Sequence, residues 1–158
     1  MKATSFLIFA FVWLMLIGVS FYYQVENDQK YANKIAYRQA EMFFDHIVLI
    51  RKWNAMHGGV YVPVTENTQP NPYLKTPERD LQSTDGKQFT MINPAYMTRQ
   101  LAEMEEGHSG IRFNITSLNP LRAENKADAW ETKALQAFVL GQSAYKELSN
   151  IGEQAYFR

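Results

Sequence analysis

The chain has 158 residues, which is enough for one domain of ordinary size. Its 16 lysine and arginine side chains balance its 16 aspartate and glutamate side chains, so the sequence predicts neither a nucleic-acid partner nor a polybasic membrane patch. The chain contains no cysteine. Disulfides, thiolate metal sites, a cysteine nucleophile and thioether-linked cofactors are therefore excluded within it.

The N-terminal segment, residues 1–23, predicts a transmembrane anchor. From Phe6 to Tyr23 the run FLIFAFVWLMLIGVSFYY has 18 residues and no charge. A helix of that length spans roughly 27 Å, close to the hydrocarbon thickness of a bilayer. The alternative is a cleaved signal peptide, with Gly18 and Ser20 as the small residues before the cleavage site. The length of the apolar run favours the uncleaved anchor.

The orientation in the membrane follows from the flanking charges and the size of the remaining chain. Lys2 and the terminal amine favour a cytoplasmic N-terminus, whereas Lys30, Lys34 and Arg38 lie beyond the span. Long domains translocate largely regardless of charge. We therefore predict a single-pass protein of the inner (cytoplasmic) membrane, with the lipid bilayer as a partner and the bulk of the chain in the periplasm.

Residues 24–57 predict a long amphipathic helix that continues the anchor. The segment contains neither glycine nor proline. A projecting helix of this kind needs a partner, either the following domain or a second copy, so a homodimer through the long helix is a hypothesis. Its small and apolar residues recur at intervals of three and four: Ala32, Ala36, Ala40, Phe43, Ile47 and Ile50.

Residues 58–158 predict an α+β core rather than a doubly wound sheet, because strands and helices are segregated along the chain. Gly58 and Gly59 are expected to end the long helix. A long loop is predicted from Thr65 to Asp85. Alternating or β-branched residues predict three short strands: Val60–Val62, Gln88–Ile92 and Gly110–Ser117.

Two further helices are predicted from their capping residues. Asn93 is an N-cap before a proline, in a helix that ends at Gly107. Asp128 forms a capping box with Glu131, in a helix that Gly141 ends. Beyond it, SAYKELSNIG predicts a further helical turn, and EQAYFR predicts the beginning of a strand that runs off the end of the sequence.

No catalytic or metal motif stands out, so the sequence predicts that the protein is not an enzyme. The histidines His46, His57 and His108 have no helical zinc-site spacing. His57 is the one with a functional reading, because two glycines and an aromatic strand follow it. It either contacts a ligand or metal, or acts as a cation at a helix C-terminus.

A set of aromatic, amide and basic residues could line a ligand pocket. An arginine among tyrosines and amides suits a carboxylate group such as a haem propionate. The asparagine–proline steps are equally well explained as turns and helix caps, and both readings stay open. The candidate ligand-binding residues are Trp53, Asn54, His57, Tyr61, Tyr73, Asn93, Tyr96 and Arg99.

Four segments resemble the successive signature blocks of one bacterial family: RKWNAMHGGVYVPVTENTQPNPYL, TDGKQFTMINPAYMTRQL, ITSLNPLRAENKADAWETKAL and AYFR. It is the family of Tll-like, membrane-anchored sensor domains that carry c-type haem. The resemblance implies a PAS-like α+β fold after an N-terminal membrane helix. It also implies a sensory or redox role, a downstream signalling module in the full-length protein, and haem contact by His57.

The chain departs from this family in one respect. The family's Cys-x-x-Cys-His haem-attachment motif is expected shortly after the block AYFR, yet the sequence stops at Arg158 and has no cysteine. The resemblance therefore implies an incomplete sensor core, which we interpret as a fragment of a longer reading frame rather than a truncated product. The favoured function is a periplasmic sensory input domain. The rival is a membrane-bound haem protein of electron transfer without signalling output.

Overall fold

The computed structural model describes residues 3–106, His108 and residues 110–158. The chain is α+β, as predicted from the sequence, with small antiparallel sheets after a long N-terminal helix. Its residues group into two compact units. One contains residues up to 43 together with 148–158, and the other contains residues 44–147.

Helix α1 (Ala3–Met56) is a single uninterrupted helix, so the predicted continuity between the apolar segment and the amphipathic segment is confirmed. Its most apolar 18-residue window has a mean hydropathy of 2.2 and no buried residue. Within the described residues it is the one helix long and apolar enough to cross a membrane.

The end of α1 follows the sequence prediction because two glycines supply left-handed backbone. Gly58 has a φ of 70° and Gly59 a φ of 101°, a region that side-chain-bearing residues rarely adopt. The Gly59 amide donates to the Asn54 carbonyl at 3.0 Å, which closes the last turn. A Cβ at Gly59 would lie 2.8 Å from Cγ of Met91, so the chain also passes close to the sheet here.

A three-stranded antiparallel sheet follows α1, and its third strand along the chain lies between the first and the second. Its register places Val60 opposite Ile92 and Asp80 opposite Thr90. The prediction of a plain loop from Thr65 to Asp85 is wrong in part, because a 3-10 turn and an edge strand lie within it. The strands are β1 (Val60–Pro63), β2 (Asp80–Gln82) and β3 (Gln88–Ile92).

Both predicted helix caps are confirmed. In α2 (Pro94–Glu105) the Asn93 side chain accepts from the Tyr96 amide. In α3 (Ala129–Val139) the Asp128 and Glu131 side chains form the reciprocal capping box. Gly107, which was expected to end the first of these helices, lies outside the described residues.

The predicted strand at Gly110–Ser117 is wrong, because these residues, all of them described, form no strand. Its last residue forms an isolated parallel bridge with Lys126 instead. The Ser117 amide donates to the Asn125 carbonyl at 2.9 Å, and its carbonyl accepts from Ala127 at 3.2 Å. The backbone polar groups of Ser117 therefore close the loop that precedes α3. The prediction failed because alternating side chains alone do not supply a neighbouring strand.

The predicted helical turn in SAYKELSNIG is also wrong. Strands β4 (Leu148–Ile151) and β5 (Gln154–Phe157) form an antiparallel hairpin. Gly152, with a φ of 65°, opens the two-residue loop between them. The strand expected in EQAYFR is confirmed, and its partner is β4. In the same unit the rings of Tyr37 on α1 and Phe157 on β5 pack edge to face, with centroids 5.5 Å apart.

Candidate functional site

The C-terminal end of α1 is joined to the β3–α2 junction by two polar side chains. Asn54 is fully buried, and its Nδ2 donates to the Ile92 carbonyl at 3.0 Å. Arg51 Nη1 donates to the Pro94 carbonyl at 3.0 Å and to Thr98 Oγ1 at 2.6 Å. These bonds connect the helix that leaves the apolar segment to the strand and helix of the core.

The Asn54 amide is only half satisfied in the described structure. Its Nδ2 also lies 3.7 Å from the Met97 sulfur, but its Oδ1 is buried and has no hydrogen-bond partner among the described residues. An unpaired buried acceptor costs on the order of 1–3 kcal/mol. Reversing the amide would place Oδ1 against the Ile92 carbonyl, so the observed orientation is the better of the two.

Helix α2 and its N-cap carry three of the predicted ligand-binding residues, and they form one cluster with the preceding loop. Asn93 Oδ1 accepts from the Tyr96 amide at 2.9 Å. The Tyr96 hydroxyl donates to the Gln69 carbonyl at 2.6 Å, which ties the loop to α2. The Arg99 guanidinium lies 4.3 Å from the Tyr96 ring centroid, a cation–π contact. Arg99 also pairs with Glu103 at 3.7 Å.

Trp53 and His57 form a second pair at the end of α1. Their ring centroids are 4.5 Å apart, and His57 Nδ1 lies 2.7 Å from the Trp53 carbonyl. Because a carbonyl only accepts, Nδ1 carries the proton and Nε2 is the free acceptor when the ring is neutral. Both side chains are exposed, and the histidine occupies the helix C-terminus, as the dipole-based reading of the sequence expects.

The remaining two candidates serve the loop after β1. The Tyr61 hydroxyl donates to the Glu78 carbonyl. Tyr73 is exposed, and its amide donates to Oδ1 of the buried Asn71 at 3.2 Å. The eight candidate residues therefore fall into separate local groups, with Asn93, Tyr96 and Arg99 together and Trp53 next to His57. Their role in ligand binding stays a prediction.

A groove of about 560 Å³ lies between the loop after β1 and α2. The Gln100 Nε2 donates to Thr68 Oγ1 at 3.3 Å across it. Amide, hydroxyl, thioether and one carboxylate group face the groove, a set that suits a small polar or cationic molecule. The sequence analysis did not single out its lining residues. They are Asn67, Thr68, Gln100, Glu103 and Met104.

A second set of polar side chains, Arg79, Asp80 and Thr90, lies where β2 pairs with β3. Arg79 Nε donates to Asp80 Oδ2 at 2.8 Å, and the Thr90 hydroxyl donates to Asp80 Oδ1 at 2.7 Å. These bonds, that from Arg79 first, hold the pKa of Asp80 below its ordinary value. Arg79 also donates to the Asn71 carbonyl at 3.4 Å, so the group attaches the loop to β2 and β3.

Comparison with known families gives one decisive match. The family model described as Tll0287-like matches residues 27–158, most of the chain. The chain belongs to the Tll0287-like family. No curated protein and no solved structure matches it. The predicted resemblance to the Tll-like family is thus confirmed, and the match begins after the apolar segment.

The haem that the Tll-like resemblance implies does not fit the residues of this Tll0287-like chain. Covalent attachment through thioethers is excluded because the chain has no cysteine. His57 has a tautomer that could ligate iron through Nε2, yet its ring is exposed and is absent from the groove beside α2.

Proposed function

We propose that this Tll0287-like chain is a membrane-anchored sensory input domain with a PAS-like core. One observation carries the proposal. Helix α1 runs without interruption from the apolar segment to Met56, and its last turns are hydrogen-bonded to the core by Arg51 and Asn54. A continuous helix joined at one end to a binding domain and at the other to a membrane is suited to transmit a displacement. The proposal treats the chain as a binding module and not as an enzyme.

The route of the signal within residues 44–147 starts at the groove beside α2. Gln100 contacts the loop across the groove, and Thr98 lies two residues earlier on the same helix. Thr98 Oγ1 accepts from Arg51 of α1. A small polar or cationic molecule that draws α2 and the loop together would therefore shift the acceptor of the Arg51 hydrogen bond. Such a ligand biases α1 only by binding one helix position better than the other.

The proposed setting is the inner membrane, with the N-terminus in the cytoplasm and residues 24–158 in the periplasm. Its partners are the bilayer and the signalling module of the full-length protein. Alkaline phosphatase fused after Arg158 should be active in cells, because this enzyme matures only outside the cytoplasm. The fusion should also remain with membranes after an alkaline carbonate wash. A soluble fusion contradicts the anchor, and an inactive membrane-bound fusion contradicts the orientation.

Coupling between the groove and α1 can be tested without knowing the natural ligand. In the detergent-solubilised full chain, Gln100→Ala should accelerate amide hydrogen exchange in the last two turns of α1 by about threefold or more, because it loosens the α2 contact that supports Arg51. Gln136→Ala on the exposed face of α3 is the matched control and should leave those amides unchanged. Equal protection in both variants would show that the groove and α1 are not coupled.

A further inference from the structure

Helix α1 carries a row of exposed apolar side chains at intervals of seven residues. Each of the four exposes more than half of its surface: Ile35 exposes 56%, Met42 61%, Leu49 63% and Met56 75%. Three residues before each of them is another exposed position. We call these eight residues the heptad seam, and the second set is Ala32, Gln39, His46 and Trp53.

The spacing of the heptad seam is that of a two-stranded coiled coil. Intervals of three and four residues in alternation give an average of 3.5 residues per turn, which is the period at which one face stays against a supercoiled partner helix. A straight helix of 3.6 residues per turn drifts by about 20° per heptad away from such a row. A strict seven-residue row therefore indicates packing against a partner helix rather than against a globular core.

The heptad seam is not the face of α1 that its own chain covers. Phe43 and Ile47 are half-buried, and Arg51 and Asn54 bond to the core. At about 100° per residue, this covered face lies roughly a third of a turn away from the seam. The alanine-rich stripe recognised in the sequence belongs mainly to the covered side. The exposed apolar row therefore lies on a different face of α1 from the bonds to the core.

We propose that the heptad seam binds the same seam of a second copy of this chain, in parallel. The proposal rests on the membrane anchoring proposed above, because two anchored helices leave the bilayer in the same direction and at the same level. Confinement to one membrane also raises the effective concentration of the second helix. Together the five large apolar side chains of the seam in two copies would remove about 1,000 Å² from water, the lower limit of a specific interface.

The residues that flank the heptad seam are compatible with a parallel pair. Arg38, Asp45 and Lys52 directly precede Gln39, His46 and Trp53 of the second set. In a parallel two-stranded coil each such residue faces the position five residues later in the partner. Those positions are Phe43, Ile50 and His57. None of them is Asp, Glu, Lys or Arg, so Arg38, Asp45 and Lys52 do not face a like charge of these types.

Two polar residues within the heptad seam favour a pair over a larger bundle. Gln39 and His46 occupy successive positions of the second set, which correspond to the a positions of a heptad. A polar residue at such a position specifies register and a two-stranded state at some cost in stability. We therefore expect the two helices to be in register, residue against the same residue.

The absence of cysteine makes a direct test available, since every introduced cysteine is the only thiol in the chain. Met42→Cys and Leu49→Cys place the thiol within the seam. Glu41→Cys and Val48→Cys are matched controls one residue earlier, about 100° around the helix and also exposed. In membranes under mild oxidation, the seam variants should give at least about fivefold more disulfide-linked dimer, because only their Cβ atoms come within disulfide distance.

The outcomes separate this inference from the function on which it rests. Equal cross-linking at all four positions of a membrane-bound protein, or more at the controls, would overturn the heptad seam and leave the anchor intact. Protein that does not sediment with membranes would instead refute the anchor. The same four variants are then oxidised in solution, where the absence of preferential cross-linking at Met42→Cys and Leu49→Cys also refutes the seam.

Discussion

Replacing Asn54 by alanine tests the hydrogen bond that joins α1 to the core. The change removes the donor to the Ile92 carbonyl and leaves a space where a fully buried amide packed. A buried acceptor without its partner costs on the order of 1–3 kcal/mol, and the lost contacts add about 1 kcal/mol. Removal of the unpaired Oδ1 offsets roughly 1 kcal/mol of this total. We expect a net loss of about 2 kcal/mol.

For a unit of the size of residues 44–147, about 2 kcal/mol corresponds to a fall in Tm of roughly 10 °C. The assay is thermal unfolding of the detergent-solubilised chain followed by near-ultraviolet circular dichroism, because the far-ultraviolet signal is dominated by the long α1. Asn33→Ala is the matched control. Asn33 is exposed on the same helix, and alanine is the better helix former there, so its Tm should be unchanged or slightly higher.

Asn54→Asp separates the loss of the donor from the presence of a charge. It places a carboxylate oxygen against the Ile92 carbonyl in a buried site, so it should cost more than Asn54→Ala at neutral pH. Burial raises the pKa of such an aspartate, so its destabilisation should shrink as the pH falls and the group is protonated. A Tm for Asn54→Ala within about 3 °C of the parent would refute the reasoning, because the bond would then contribute little to stability.

Three further results follow from the local geometry. Gly59→Ala should lower the Tm more than Gly58→Ala in the same assay, because both have positive φ but only at Gly59 does the new Cβ meet Met91; equal losses would contradict that contact. Asp128→Ala should cost about 1 kcal/mol in urea unfolding through loss of the capping box, whereas an unchanged midpoint would show that α3 does not depend on it. The lowered pKa of Asp80 contributes stability that is present above the pKa of the unfolded state and is lost as the pH falls through the pKa of the folded state. Asp80→Asn should therefore flatten the acid side of a plot of urea midpoint against pH. An unaltered slope would refute this.

The features predicted correctly from the sequence are those whose partners are close along the chain. The Asn93 cap and the Asp128–Glu131 capping box each close within three residues, so the residue types identify them directly. The apolar N-terminal helix is equally visible, because its signal is composition over 18 residues. The Gly58–Gly59 helix end needs only the backbone freedom of glycine, and no distant contact decides it.

The errors arose where a partner outside the segment decides the structure. Leu148–Ile151 is a strand because β5 pairs with it, and the Gly152-Glu153 loop was the signal in the sequence that could have indicated this hairpin. Gly110–Ser117 has strand-like alternation, but its end serves the loop before α3. Neither outcome follows from side-chain periodicity, because a strand needs a neighbour that the pattern does not specify.

The candidate site shows the same limit. Asn54 and Tyr96 were predicted to bind a ligand, which stays a prediction, and the described contacts use them to join segments 38 and 27 residues apart. Arg51 was missed, although it makes two hydrogen bonds over 43 and 47 residues. In the sequence, Arg51 cannot be distinguished from an exposed arginine near the end of a helix. The groove was missed for the same reason, since a loop and α2 form it together.

The composition of the α1–core junction bears on how a sensory displacement would be transmitted. Among the described residues the buried apolar side chains include only Ile92, Tyr96 and Ala134, so the connection depends strongly on the directional bonds of Arg51 and Asn54. Apolar contacts weaken gradually as surfaces slide, whereas a hydrogen bond weakens steeply once its distance and angle leave a narrow range. A shift of α2 would therefore switch the junction from an arrangement in which these hydrogen bonds are formed to one in which they are broken. Under the proposed function, α1 would respond by discrete rotation or translation, and the heptad seam on its other face would convert that motion into a change between two copies.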